Sequence, residues 1–264
     1  MRHHSLNALV LLGIALAGCT TTQTISSTEP NGEELRLVKL AQDIERRSDS
    51  AAAISLYERA ATISNNKVDA YSRLGEAQLS AGDPEAATGS FRTALATSPN
   101  DDRALLGLGT AQLRSSQIES AARTLAIAAP IVKTSTAYNR LGTALILSGD
   151  GPGAENAFSL ARNIDPSNLD TQSNLGLAQA IAGRSDAAVT TLYAVTQSPR
   201  AEARHFRNLM LVLTLGRKDK DAEDVVVPDY PDADKRTFLA EARKVRAVKE
   251  PAARARAIGL LASS

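Results

Sequence analysis

The sequence predicts an all-α fold, a solenoid of about six stacked helix hairpins over residues 33–230, and three observations carry that prediction. Ala53, Ala87, Ala121, Ala154, Ala188 and Ala222 are separated by 34, 34, 33, 34 and 34 residues. Twelve residues before each alanine stands a compact residue preceded by leucine: Leu40-Ala41, Leu74-Gly75, Leu108-Gly109, Leu141-Gly142, Leu175-Gly176 and Leu209-Met210. Four residues after each alanine comes a bulky apolar side chain, namely Tyr57, Phe91, Leu125, Phe158, Leu192 and Val226.

Each unit reads as two short antiparallel helices. The compact residue of the first helix and the alanine of the second let the backbones approach, and the bulky residue fills the gap. A further alanine follows at Ala60, Ala94, Ala128 and Ala161, whereas Val195 and Asp229 take that position in the last two units, so the pattern decays towards the C-terminus. Gly82, Gly149, Gly183 and Gly216 are placed to supply a left-handed residue ending the first helix. Pro99, Pro130, Pro166 and Pro199 are placed to stop the second. A lone hairpin cannot cover its apolar face, so stability is expected from nearest-neighbour stacking.

This pattern resembles the tetratricopeptide repeat family. Tyr71, Leu74, Gly75, Ala87, Phe91, Ala94 and Pro99 make the best unit, with Gln78 where the family has an aromatic. The resemblance implies a right-handed superhelix with a concave face lined by the first helix of each repeat. After Pro228 and Pro231, residues 231–264 read as a helical cap, with Phe238, Leu239, Ala242 and Val245 as the apolar stripe that closes the open end. Eight basic residues from Lys235 to Arg256 face four acidic ones between Asp232 and Glu250, a modest excess that reads as the wet side of that cap.

Residues 1–18 read as a signal peptide: Arg2 gives a positive start, Leu6 to Leu16 an apolar run too short to span a bilayer comfortably, and Leu16-Ala17-Gly18 a cleavage site. Leu16-Ala17-Gly18-Cys19 resembles the lipobox of bacterial lipoproteins, and Cys19 is the only cysteine. That resemblance implies lipidation of Cys19, each buried methylene contributing about 0.8 kcal/mol of membrane affinity. Thr20 follows, not the aspartate that retains such proteins at the inner membrane, so the expected place is the periplasmic face of the outer membrane. Residues 19–32 then form the lipidated cysteine and a polar tether with a mean reach of about 20 Å.

Composition narrows the function. Without residues 1–18 the chain has 29 basic and 29 acidic residues, a balance that argues against nucleic acid as the main partner. A single cysteine allows no internal disulfide. His3 and His4 leave with the signal peptide and His205 stands alone, so neither a metal site nor a Ser/His/Asp arrangement is expected. Gly107-Leu108-Gly109 and Gly149-Asp150-Gly151-Pro152-Gly153 follow no strand and read as packing and turn glycines. A non-enzymatic, protein-binding role without a cofactor is therefore expected.

Two rows of first-helix residues are expected to line the concave face. One is Arg73, Gly107, Arg140, Asn174 and Asn208; its neighbour is Asp69, Arg103, Thr136, Asp170 and Arg204. Asparagine can pair with a peptide main chain, and arginine with carboxylates or carbonyls. Arg73, Arg103, Arg140, Asn174, Arg204 and Asn208 are the candidate peptide-binding set. In peptide-binding members of the family a carboxylate clamp uses such positions; Asn174 and Arg204 match two of them, but Asn139 replaces its lysine and Asn208 its arginine. A general peptide groove is expected in place of that clamp.

The stretch from Arg204 to Arg217, RHFRNLMLVLTLGR, together with lipobox, tether and basic tail, resembles TadD-type lipoproteins of tight-adherence, or Flp, pilus systems, with Met210 departing from that family's alanine. The resemblance implies a pilotin-like accessory of type IVb pilus assembly whose partner is the secretin or another pilus component. The alternative is an outer-membrane adaptor scaffolding periplasmic cell-wall enzymes.

Overall fold

The computed structural model describes residues 32–263, which are all-helical, with no strand among them. Five full hairpins pair α1 (Gly32–Glu45) with α2 (Ser50–Ile63), α3 (Lys67–Ser80) with α4 (Pro84–Thr97), α5 (Asp102–Arg114) with α6 (Ile118–Val132), α7 (Ser135–Ser148) with α8 (Gly151–Ile164), and α9 (Leu169–Ile181) with α10 (Ser185–Thr196). The sixth joins α11 (Ala203–Leu215) to the six-residue α12 (Asp219–Asp224), and α13 (Asp232–Ala247) and α14 (Pro251–Ser263) follow. They stack as a right-handed superhelical solenoid. The segments expected to be a signal peptide and a tether, with Cys19, lie outside the described residues, save residue 32.

Local chemistry starts half of these helices where the sequence changes character. Asp49, Asn66, Asp83, Asp101, Thr134, Asp150 and Asn168 each accept a hydrogen bond from the backbone N–H three residues on. Each satisfies one of the donors a helix start leaves open. Gly82, Gly149 and Gly183 have φ of 82°, 89° and 81° and end their helices in the left-handed region. Gly216 does not: its φ is −78°, and Arg217 takes the left-handed turn at 60°. Ser48 and Ser116 do the same work in the first and third units, where no glycine is available.

All six periodic alanines are essentially without solvent exposure, and the compact residues explain the spacing. A Cβ on Gly75 would stand 2.8 Å from the Phe91 ring, on Gly109 2.5 Å from Leu125, on Gly142 2.7 Å from Phe158 and on Gly176 2.7 Å from Leu192. The first helix therefore presses its bare backbone onto the bulky residue of the second. In the first unit Ala41 and Tyr57 take these parts, and the Tyr57 hydroxyl donates to Glu45 Oε2 at 3.2 Å. Burial, then the Glu45 carboxylate, pushes that phenol up to about 12.

Two expectations are corrected. Pro130 lies inside α6, which continues to Val132 and ends at Lys133 with φ of 54°. So near the end of a helix, the missing proline N–H removes only one late hydrogen bond. Val226, expected as the bulky residue of the sixth unit, is 81% exposed, while Val225 and Val227 are buried. The helix has ended at Asp224, so the chain is extended there and alternate side chains face inward. Met210, where the other units have glycine or alanine, is fully buried. Phe238, Leu239 and Ala242 of α13 join the large core cluster of the C-terminal units, with Val245 packed against it.

Candidate functional site

The first helices of successive units, α3, α5, α7, α9 and α11, contact one another and form the concave trough. Its floor differs along its length, because α14 folds back and lies on α7, α9 and α11. The seat is close: a Cβ on Gly259 would stand 3.0 Å from Ile146 Cγ2 and 3.1 Å from Leu147 Cδ2. Ala255 and Ile258 are buried beneath it, and Arg256 reaches Glu119 at 3.4 Å. Nothing in the sequence periodicity signals this contact, which joins residues far apart in the chain.

The candidate residues consequently divide. Asn174 lines a small cavity of about 120 Å³ with Gly259 and Ala262, under α14. Asn208 is buried; its Nδ2 donates to Ser173 Oγ at 2.9 Å, while its Oδ1 has no partner. Arg204 stays exposed at the trough edge, but its Nε and Nη2 bind Asp170 at 2.8 and 3.2 Å and its Nη1 binds Glu202. His205 is buried: Nδ1 accepts from the Glu202 backbone N–H at 2.9 Å and Nε2 faces Asp170 Oδ1 at 3.0 Å. Since Nδ1 is the acceptor, Nε2 carries the proton and donates to the carboxylate. Arg204 first, then His205, hold the Asp170 carboxyl below its ordinary value against a burial effect in the other direction. This constellation welds the fifth unit to the sixth.

Towards the N-terminus the trough is open. Arg73 Nε donates to Asp69 Oδ2 at 2.8 Å, and Arg103 donates to Asp69 Oδ1 at 2.9 Å and to Glu76 Oε1 at 2.6 Å. Glu76 is the main cause that holds the Arg103 guanidinium charged. Arg140 is different, for it makes no hydrogen bond or ion pair among the described residues. Burial, then repulsion from Arg114, lowers its proton affinity. Arg114 itself, absent from the candidate rows, donates from Nη1 to the Leu79 carbonyl at 2.7 Å. These two arginines, with Glu76, Leu79, Ser80, Arg103, Leu106, Gly107 and Thr110, line a cavity of about 400 Å³ across α3, α5 and α7. Gly107 packs its bare backbone on a core ring, for a Cβ there would fall 2.3 Å from Phe91. Among the described residues no cluster of His, Cys, Asp or Glu could hold a metal ion, and no helix is long and apolar enough to cross a membrane.

Residues 38–102 and 78–145 match two family models, each described as a tetratricopeptide repeat. Over residues 38–145 the hairpins are of the tetratricopeptide repeat type. A tetratricopeptide protein from Parabacteroides merdae superposes with a TM-score of 0.66 at 14% identity, covering 89% of this chain and 100% of that one. PilF of Pseudomonas aeruginosa superposes at 0.57, with 17% identity over 72% of this chain and 86% of its own. YrrB, a tetratricopeptide protein with an unusual peptide-binding site, does so at 0.55, with 16% identity over 75% and 95%. At such identities the likeness is one of architecture. No curated protein matches the sequence. The likeness establishes the helical-repeat fold.

Proposed function

We propose that the chain is a lipid-anchored scaffold on the periplasmic face of the outer membrane, gripping an extended segment of a partner protein in the trough over α3, α5 and the part of α7 at Arg140, ahead of residues 143–149 on which α14 sits. The observation that carries this reading is the Arg140 guanidinium, unpaired among the described residues and lining a cavity of about 400 Å³. Anchoring rests on the lipobox-like Leu16-Ala17-Gly18-Cys19, and Arg73, Arg103 and Arg140 are the peptide-facing members of the candidate set. Asn174, Arg204 and Asn208 act in this reading as supports of the trough and its edge.

The partner is the secretin or another component of a Flp-type, type IVb pilus assembly, and the role is pilotin-like. Support comes from the resemblance of the Arg204–Arg217 stretch to TadD-type lipoproteins, and PilF provides a precedent for this architecture. Deleting the protein should abolish surface pili, and affinity purification should return secretin subunits. Intact piliation with altered peptidoglycan composition would replace this role with cell-wall scaffolding. Replacing Cys19 by serine should move the protein from the membrane fraction to the soluble one; persistence in the membrane fraction would remove the lipid anchor from the proposal.

A further inference from the structure

We propose that Arg114 and Arg140 form a carboxylate anchor, which selects an acidic extended segment of the partner over a neutral one. This rests on the peptide-binding reading above and adds the chemistry of the ligand. Charge bookkeeping along the trough singles the pair out. Arg73 and Arg103 are answered by Asp69 and Glu76. Among the described residues Arg140 has no counter-ion, and Arg114 makes one hydrogen bond, to the Leu79 carbonyl. A partly desolvated cation without a partner is costly in a folded protein, and a second cation beside it adds to that cost. The fold gains the Arg114 bond to the Leu79 carbonyl but none from Arg140 among the described residues, whereas an incoming carboxylate relieves both charges at once.

Shape argues for a polypeptide carboxylate. The cavity, about 400 Å³, runs across three helices and far exceeds the room a single small anion fills. Leu79 and Leu106 give it apolar patches beside the two guanidinium groups, as the stem of a peptide side chain requires. Planar guanidinium forks match a carboxylate with paired hydrogen bonds.

The test uses the full chain and a fluorescent peptide of alternating glutamate and alanine, about eight residues long and thus able to span the three helices. A glutamine-for-glutamate version and inorganic phosphate serve as comparators, with binding read by fluorescence anisotropy at low and physiological salt. The acidic peptide should bind, and Arg114→Gln, Arg140→Gln or the glutamine peptide should each weaken binding about tenfold, as loss of a charge-assisted contact implies. Arg92→Gln, on the outer helix α4, should leave binding unchanged, and circular dichroism should show every variant folded. Equal affinity for the two peptides, absence of binding to either, or unaltered affinity in both trough variants would overturn the anchor. Phosphate displacing the peptide at equal concentration would show a point-anion site and overturn it too. The two readings fail separately: a partner recovered equally by wild type and Arg140→Gln keeps the scaffold and removes the anchor.

Discussion

At the scale of single residues, glycines that look alike in the sequence do opposite things. Gly89, in the interior of α4, has nothing within 4 Å of a would-be Cβ, whereas Gly107 has the Phe91 ring at 2.3 Å. Gly89→Ala should therefore stabilise by about 0.5–1 kcal/mol through helix propensity. Gly107→Ala should lose about 1–3 kcal/mol, because overpacking exceeds that gain. Urea unfolding of the two variants checks the pair. Asp170 offers a pH test: its carboxyl is held below its ordinary 3.8 by Arg204 and then His205, so the stabilisation is present above that value. It is lost as the pH falls through the lower folded-state value. Thermal unfolding from neutral to strongly acid pH should show a deficit in Asp170→Asn that shrinks to nothing at the acid end. A constant deficit would mean that the contact acts through shape, not charge. The spacing of alanines was legible because each sits in the same contact in every unit. Arg114 was not, because the two rows considered ran along fixed positions, while Arg114 enters the trough from the last turn of α5; its signal was the four-residue step from Thr110 on the same helical face.

At the scale of elements, the short α12 explains why the pattern decays. With the second helix of the sixth unit cut to six residues, Val226 swings outward and α13 supplies the cover through Phe238, Leu239 and Ala242. The Arg204–Arg217 stretch, which holds the groove candidates Arg204 and Asn208, is mostly a seam: Asn208 reaches Ser173, the Arg207 guanidinium stands 6.0 Å from the Phe238 ring, and residues from Leu209 to Leu213 are core. Its polar residues looked surface-directed because a sequence cannot show which face of a last repeat is covered. Helix α14 is held chiefly by Ala255, Ile258 and the close approach at Gly259, with Glu250 accepting from the Ala252 and Ala253 backbone N–H groups at its start. Ile258→Ala should cost about 2 kcal/mol or more. Hydrogen exchange should then rise in α14 while α3 to α6 keep their protection; a rise spread evenly over the chain would contradict so local an attachment.

Across the whole molecule, the core is unevenly distributed. One cluster runs from Ile146 to Ile258 and unites the C-terminal units with α13 and α14, while the N-terminal units hold three separate, smaller clusters. A stacked array with only nearest-neighbour interfaces unfolds from its weaker end. Hydrogen exchange in mild denaturant should open α1 to α4 before α9 to α13, and simultaneous opening would show stronger coupling than the clusters provide. The expected solenoid was readable because local periodicity specifies it. Closure over α9, α11 and the end of α7 was not, since it depends on α14, which is far along the chain from α7.

That closure fixes how long a message the open floor can accept. Neighbouring helix axes lie about 8–10 Å apart, so α3, α5 and α7 offer about 20 Å, and an extended chain advancing about 3.3 Å per residue crosses it in about six. A recognition element of that size fits within one exposed tail or loop. The rest of the partner's sequence is then free to diverge, provided those few residues and one acidic group among them are kept.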